Sequence, residues 1–166
     1  MSTQTEIPKS EPLIIMTRVY DAPRARVWEA MTEPRHVSRW WGGPGFTNPV
    51  CETDLRPGGR WHHVMRFPDG HELVLDFVFL EVDPPSRLAW QHVDHGKRKG
   101  LPPTCMTTST LEEINGRTHA TMVARFNSFE DREAALDIGF TGPIAASNDR
   151  LVEYLKTMKS DAGVPR

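Results

Sequence analysis

The spacing of apolar and polar positions divides the chain into a strand, two short helices, a run of strands and a helical end. Leu13–Tyr20 is dense in apolar and β-branched residues and reads as a first strand. Asp21-Ala-Pro-Arg24 stops it, and Pro23 suits the first turn of a helix, where its missing N–H goes unused. Val27, Ala30 and Met31 then recur at helical spacing, which predicts a short helix over 23–31. Thr32-Glu-Pro34 breaks that helix and opens a second one, with Val37, Trp40 and Trp41 at i, i+3 and i+4.

Arg39-Trp-Trp-Gly-Gly-Pro-Gly-Phe46 ends the second helix. Successive residues diverge by about 100° on a helix, so Trp40 and Trp41 cannot share one stripe. The glycines and Pro44 forbid regular structure beyond them. A loop carrying aromatic surface is expected here. Arg56-Pro-Gly-Gly-Arg-Trp61 makes a tight turn into the next strand. Strand patterns cover 60–67, 71–82, 87–93, 105–113 and 118–126, with a weaker one over 48–55. Asn115-Gly116 is a strong short-range hairpin signal. Residues 94–103 read as a charged loop. Ser128-Phe-Glu-Asp131 opens a helix continued by Ala134, Ala135 and Ile138. Gly139-Phe-Thr-Gly-Pro143 interrupts it as a kink or turn. Ile144, Leu151, Val152, Leu155 and Met158 then form a stripe long enough to lie against a sheet. Strands in a run with segregated helices mean an α+β fold whose sheet curves around the final helix. We expect one domain over 12–159, a loose N-terminal tail over 1–11 and a flexible end over 160–166.

Strand alternation selects the residues of the inward sheet face. Trp61, His63, Met65 and Phe67 share it, followed by Leu73, Leu75, Phe77 and Phe79, then Leu88, Trp90 and His92. Later strands add Thr107, Ser109 and Leu111, then Ala120, Met122, Ala124 and Phe126. Small residues among bulky ones leave room. A dry void of ~300 Å³ would cost ~7 kcal/mol, against a total stability of ~5–15 kcal/mol. The last helix, water or a ligand must therefore fill any such space. His63 is the first candidate for acid–base chemistry, with His92 second; the competing reading of His63 is a hydrogen-bonded core histidine.

Composition removes other function classes. The chain has 166 residues and a net charge of −2, with no basic excess to attract nucleic acid. Lys97-Arg98-Lys99 reads as a solvated loop. His62 and His63 point to opposite faces, and His92-Val-Asp-His95 lacks a second cluster, so no metal is expected. No phosphate loop, dinucleotide fingerprint or Ser-His-Asp order is present, and no cofactor is expected. Asp54 and Arg56 read as a structural brace. The two cysteines, Cys51 and Cys105, follow no metal or redox spacing. No secretory pattern or apolar run of ~18 residues is seen, so a reducing cytoplasm and no membrane are expected.

The ordered set of motifs resembles the START-like (SRPBCC) superfamily, in the branch named after the activator of Hsp90 ATPase. The motifs are Arg18-Val-Tyr-Asp-Ala-Pro23 with Val27-Trp-Glu-Ala30, Thr32-Glu-Pro34, Arg39-Trp-Trp-Gly42 and Asp54-Leu-Arg-Pro-Gly-Gly59. Phe67-Pro-Asp-Gly70 and Leu80-Glu-Val-Asp-Pro-Pro85 with Arg87-Leu88 complete the set, which spans roughly 12–157. The resemblance implies a helix-grip fold, a curved antiparallel sheet around a C-terminal helix, enclosing an apolar cavity. One departure stands out: relatives show Gly-Trp where this chain has Gly139-Phe140 before Thr141-Gly-Pro143. The start of the last helix, which borders the cavity in such folds, should differ.

The residues set to meet a ligand are Trp40, Trp41, Trp61, His63, Met65, Phe77, Trp90, Thr107, Ser109, Met122 and Phe140. The leading functional expectation is a binder of a small apolar or aromatic molecule rather than an enzyme. A cyclase- or aromatase-like enzyme, with His63 or His92 moving protons on a polyketide-like substrate, is the alternative. A co-chaperone-type module meeting a protein partner through exposed Trp40 and Trp41 is the third. Open sheet edges are compatible with a homodimer.

Overall fold

The computed structural model describes residues 2–93 and 103–162. The period-two runs become eight strands: β1 (Gln4–Glu6), β2 (Leu13–Tyr20), β3 (Thr47–Thr53), β4 (Arg60–Arg66), β5 (Glu72–Asp83), β6 (Arg87–His92), β7 (Cys105–Ile114) and β8 (Arg117–Phe126). They make one antiparallel sheet in the order β1-β2-β8-β7-β6-β5-β4-β3. Strands β3 to β8 each pair with the next, and β8 returns beside β2. The helices are α1 (Arg24–Thr32), α2 (Pro34–Trp40), α3 (Phe129–Asp137) and α4 (Thr141–Ala162). α1 and α2 carry the chain from β2 to β3, at the far side of the sheet. The curved sheet grips α4, giving the helix-grip fold.

Local chemistry explains the joints. Ile114 pairs with Arg117 across Asn115 and Gly116, which both take positive φ (54° and 79°), as a two-residue hairpin turn demands. The Ser128 hydroxyl accepts from the Asp131 N–H and caps α3. The α1 N-terminus is met by Glu113, whose carboxylate accepts from the Arg24 N–H at 2.7 Å. Arg56 Nε donates to Asp54 at 2.8 Å, an exposed brace beside the Gly58-Gly59 turn.

Three segments have bounds that differ from the sequence reading. Part of the stretch expected to be loose is a strand: Gln4–Glu6 pairs with Ile15, Met16 and Thr17. All three β1 side chains are exposed, so the open ladder of β2, not burial, holds them. The pattern over 48–55 becomes Thr47–Thr53, with a register shift between Thr47 and Val50. Pro49 lies in that gap and has no N–H to donate to a ladder. α4 runs to Ala162, past the boundary expected at 159. The loop expected at 94–103 lies outside the described residues up to 102, with Lys97, Arg98, Lys99 and His95; so does 163–166 of the expected C-terminal tail.

Buried apolar residues form two clusters. The larger joins α1, α2 and the C-terminal half of α4 to the sheet, through Val27, Val37, Trp40, Leu151 and Leu155 against Trp61, Phe77, Phe79 and Trp90. The smaller joins α3 and the start of α4 to β2, β7 and β8 through Ile14, Met16, Ala124, Phe126 and Ala135. What lies between them is the site.

Candidate functional site

A space of about 410 Å³ opens between the sheet and α4, lined from both clusters. Dry, it would cost about 10 kcal/mol, as much as the whole stability of a domain this size. Water or a ligand must occupy it. Four tryptophans line it: Trp40 and Trp41 from the end of α2, Trp61 from β4 and Trp90 from β6. Met65, Phe77, Met122 and Phe140 add apolar wall, and Thr107 and Ser109 add hydroxyls.

The rings pack on one another rather than standing free. Trp61 stands 5.2 Å from Trp41 in a T-shaped contact and 4.7 Å from Phe77. Trp40 Nε1 donates to the Ala30 carbonyl at 2.9 Å, fastening its ring to α1. The loop expected to display aromatic surface therefore turns inward: Trp40 is buried and Trp41 half-buried. α4 makes that turn. Ser147 Oγ accepts from the Gly42 N–H at 2.8 Å. Arg150 Nη1 donates to the carbonyls of Trp41, Gly42, Gly43 and Phe46, and Nη2 to that of Arg39. A guanidinium at the C-terminal end of α2 also matches its dipole.

His63 is not at the cavity surface, which corrects its place among the ligand-contacting and catalytic candidates. It is wholly buried and sealed beneath Trp41, 5.0 Å away, and Trp61. Trp61 Nε1 donates to His63 Nδ1 at 3.2 Å. Indole nitrogen only donates, so Nδ1 is the acceptor and Nε2 carries the hydrogen. Nε2 then donates to Asn48 Oδ1 at 2.7 Å. Asn48 Nδ2 passes the chain on to the carbonyls of Ser38 and Trp41, each at 3.0 Å. Burial, with the charge of His62 second, lowers the His63 pKa to about 4. A neutral ring with both nitrogens engaged is a structural tie, not a proton shuttle.

His92 does line the space and packs on Phe77, with centroids 4.8 Å apart. Ala124, though inward-facing, is fully buried in the smaller cluster and does not line it. His62 faces away, 2.6 Å from Asp76. Cys51 and Cys105 form no disulfide, and burial pushes the Cys51 thiol up to about 11.

The Gly139-Phe140 departure shapes the mouth. Gly139 (φ 87°) ends α3 with its N–H on the Leu136 carbonyl, while the Phe140 N–H bonds the Ala135 carbonyl. This is a left-handed glycine stop of the Schellman type. It throws Phe140 onto Phe126 at 5.5 Å and into the cavity wall, beside the exposed Ile138.

Sequence reasoning passed over two groups. Arg18, inward on β2 between Met16 and Tyr20, lines the cavity while almost wholly buried. A charge at the inward parity of an apolar strand was the available signal. The second is Glu29, Glu33 and His36, whose ligand atoms lie within 4.8 Å of one another, close enough to hold a metal ion. Arg35 already bridges both carboxylates, at 3.2 and 2.8 Å, and His36 Nδ1 meets the Tyr154 hydroxyl at 2.5 Å. That arrangement ties α1, α2 and α4 together without a metal.

Among the described residues, no helix is long and apolar enough to cross a membrane. No curated protein matches the chain. Solved structures do. A Nitrosomonas europaea protein is 26% identical over 89% of this chain and 96% of its own, with a TM-score of 0.79. A Mycobacterium smegmatis protein is 26% identical over 95% and 99%, with a TM-score of 0.82. An Arthrobacter aurescens protein, 22% identical over 95% and 93%, shares the fold at a TM-score of 0.84. The profile of the family described as activator of Hsp90 ATPase homolog 1-like protein matches residues 21–156, which takes in α1 and α2, the Trp40-Trp41 loop and most of α4; the chain belongs to that family.

Proposed function

We propose that the protein binds a small apolar or aromatic molecule between its sheet and α4, in a reducing cytoplasm. One observation carries this reading: a space of about 410 Å³ with four tryptophans in its wall. Binding pockets of this kind run from about 300 to 1,000 Å³ and are mainly apolar with a few placed polar groups. Fixed rings lose little freedom when a ligand arrives, which favours affinity.

The test is uptake of the neutral fluorophore N-phenyl-1-naphthylamine. Saturable one-to-one binding is expected, lost in Met122→Trp, which fills the space from β8 while the fold is retained. Uptake that Met122→Trp leaves unchanged ends the proposal. Native mass spectrometry with solvent extraction then names any co-purifying molecule and reads monomer against homodimer.

The cyclase- or aromatase-like alternative rests on His92 alone, since His63 is enclosed. It predicts that His92→Ala loses turnover of a polyketide-like substrate and keeps fluorophore affinity. The protein-interaction reading would have to use Trp41, half-buried in the wall; it predicts that Trp41→Ala weakens capture of a protein partner while the fluorophore still binds.

A further inference from the structure

We propose that the molecule held in this cavity is an amphipathic carboxylic acid, its apolar body among the tryptophans and its carboxylate on Arg18. This rests on the cavity reading above and adds the chemical class of the ligand.

Arg18 is the first reason. A guanidinium is charged at every physiological pH and presents five N–H donors. The Arg18 side chain is only 7% exposed, yet its one hydrogen bond among the described residues is from Nη1 to Asp149 at 2.8 Å. Nε is buried with no partner among the described residues. Buried charges are normally paired and fully hydrogen-bonded. Asp149 compensates weakly, because its side chain is 68% exposed and water screens it.

Arg132, another buried guanidinium, shows the difference. Its Nε also lacks a partner among the described residues. Its other nitrogens, however, hold the carbonyls of Pro8 and Glu11 and the Glu133 carboxylate, and it does not line the cavity. Arg132 fastens the N-terminal arm; Arg18 fastens nothing comparable.

The rest of the wall is the second reason. Among the described residues lining the cavity there is no Asp, Glu or Lys. An incoming carboxylate thus meets a wall with one fixed positive charge and no negative one, the exposed Asp149 beside Arg18 lying outside that wall, in apolar surroundings that weaken screening. An amine would meet the reverse. Tyr20, two residues along β2 and on the same wall, has its phenol pushed above its ordinary pKa, chiefly by burial. It stays a neutral O–H beside the guanidinium, suited to a carboxylate's second oxygen.

The experiment is competition by decanoic acid and decan-1-ol against bound N-phenyl-1-naphthylamine at neutral pH. These competitors differ only in the head group. Charge-assisted hydrogen bonding predicts that the acid displaces the probe about tenfold or more better than the alcohol. Arg18→Met should bring the acid down to the level of the alcohol. Asp149→Asn, a near-isosteric change at an exposed position, should raise acid affinity several-fold by releasing Arg18, with the fold checked by circular dichroism. Equal competition by acid and alcohol in the wild type overturns the proposal and leaves the cavity reading intact. So does an acid preference that Asp149→Asn does not raise, or that folded Arg18→Met keeps. Failure of both competitors and of the fluorophore itself overturns the cavity reading together with this one.

Discussion

His63 and Arg18 are both buried polar side chains on the inward face of one sheet, and they stand in opposite conditions. His63 has each ring nitrogen engaged, by Trp61 and by Asn48, and the chain continues into the carbonyls at the end of α2. Arg18 has one exposed carboxylate and an unbonded Nε, at the wall of a space. A satisfied polar group fixes the arrangement around it; an under-satisfied one is held in place by the fold for something else to complete. The same sheet thus carries a knot at its β3–β4 side and an open socket at β2.

The strongest way to break this contrast is to remove each group. His63→Ala leaves the Trp61 N–H and the Asn48 amide unmatched and opens a hole, and should cost about 3–5 kcal/mol in urea unfolding. Arg18→Met keeps volume and removes an ill-compensated charge, so it should lie between neutral and about 2 kcal/mol more stable. Equal losses in both would erase the distinction.

Acid sharpens it next. The unfolded chain protonates His63 below pH 6.5, whereas the folded chain resists until about 4. This contribution is therefore complete above pH 6.5, falls as pH drops towards 4 and is flat below. The total is about 3 kcal/mol. Subtracting the pH–stability curve of His63→Gln isolates it; a difference flat from pH 7 to 4 contradicts the assignment.

The smallest effect concerns the mouth. Gly139→Ala forces a side chain into φ 87° and should cost about 1 kcal/mol. It should alter fluorophore uptake while the ring-proton shifts of His63 stay put. Movement of both would mean that knot and socket are not separate.

The sequence disclosed the faces and hid the depths. Period-two alternation is a local property, so Trp61, Met65, Phe77, Trp90, Thr107, Ser109 and Met122 could be assigned to one wall before any pairing was known. His63 has the same parity as Trp61 and Met65. It misses the cavity because Trp41 arrives from another element and covers it, which no strand pattern encodes. The inward turn of Trp40 and Trp41 depends likewise on Arg150 and Ser147, more than a hundred residues away. Arg18 was legible as a charge in an apolar strand, but its missing partners exist only once α4 is in place.

The tryptophans have a further consequence. Trp40, Trp41, Trp61 and Trp90 surround the cavity, while Trp28, on α1, does not line it. Four of the five indoles in the chain would change emission when a molecule enters, and the fifth would report a constant background. The protein carries its own optical sensor of occupancy, so its contents can be followed unlabelled, in dilute solution, before anyone knows what they are.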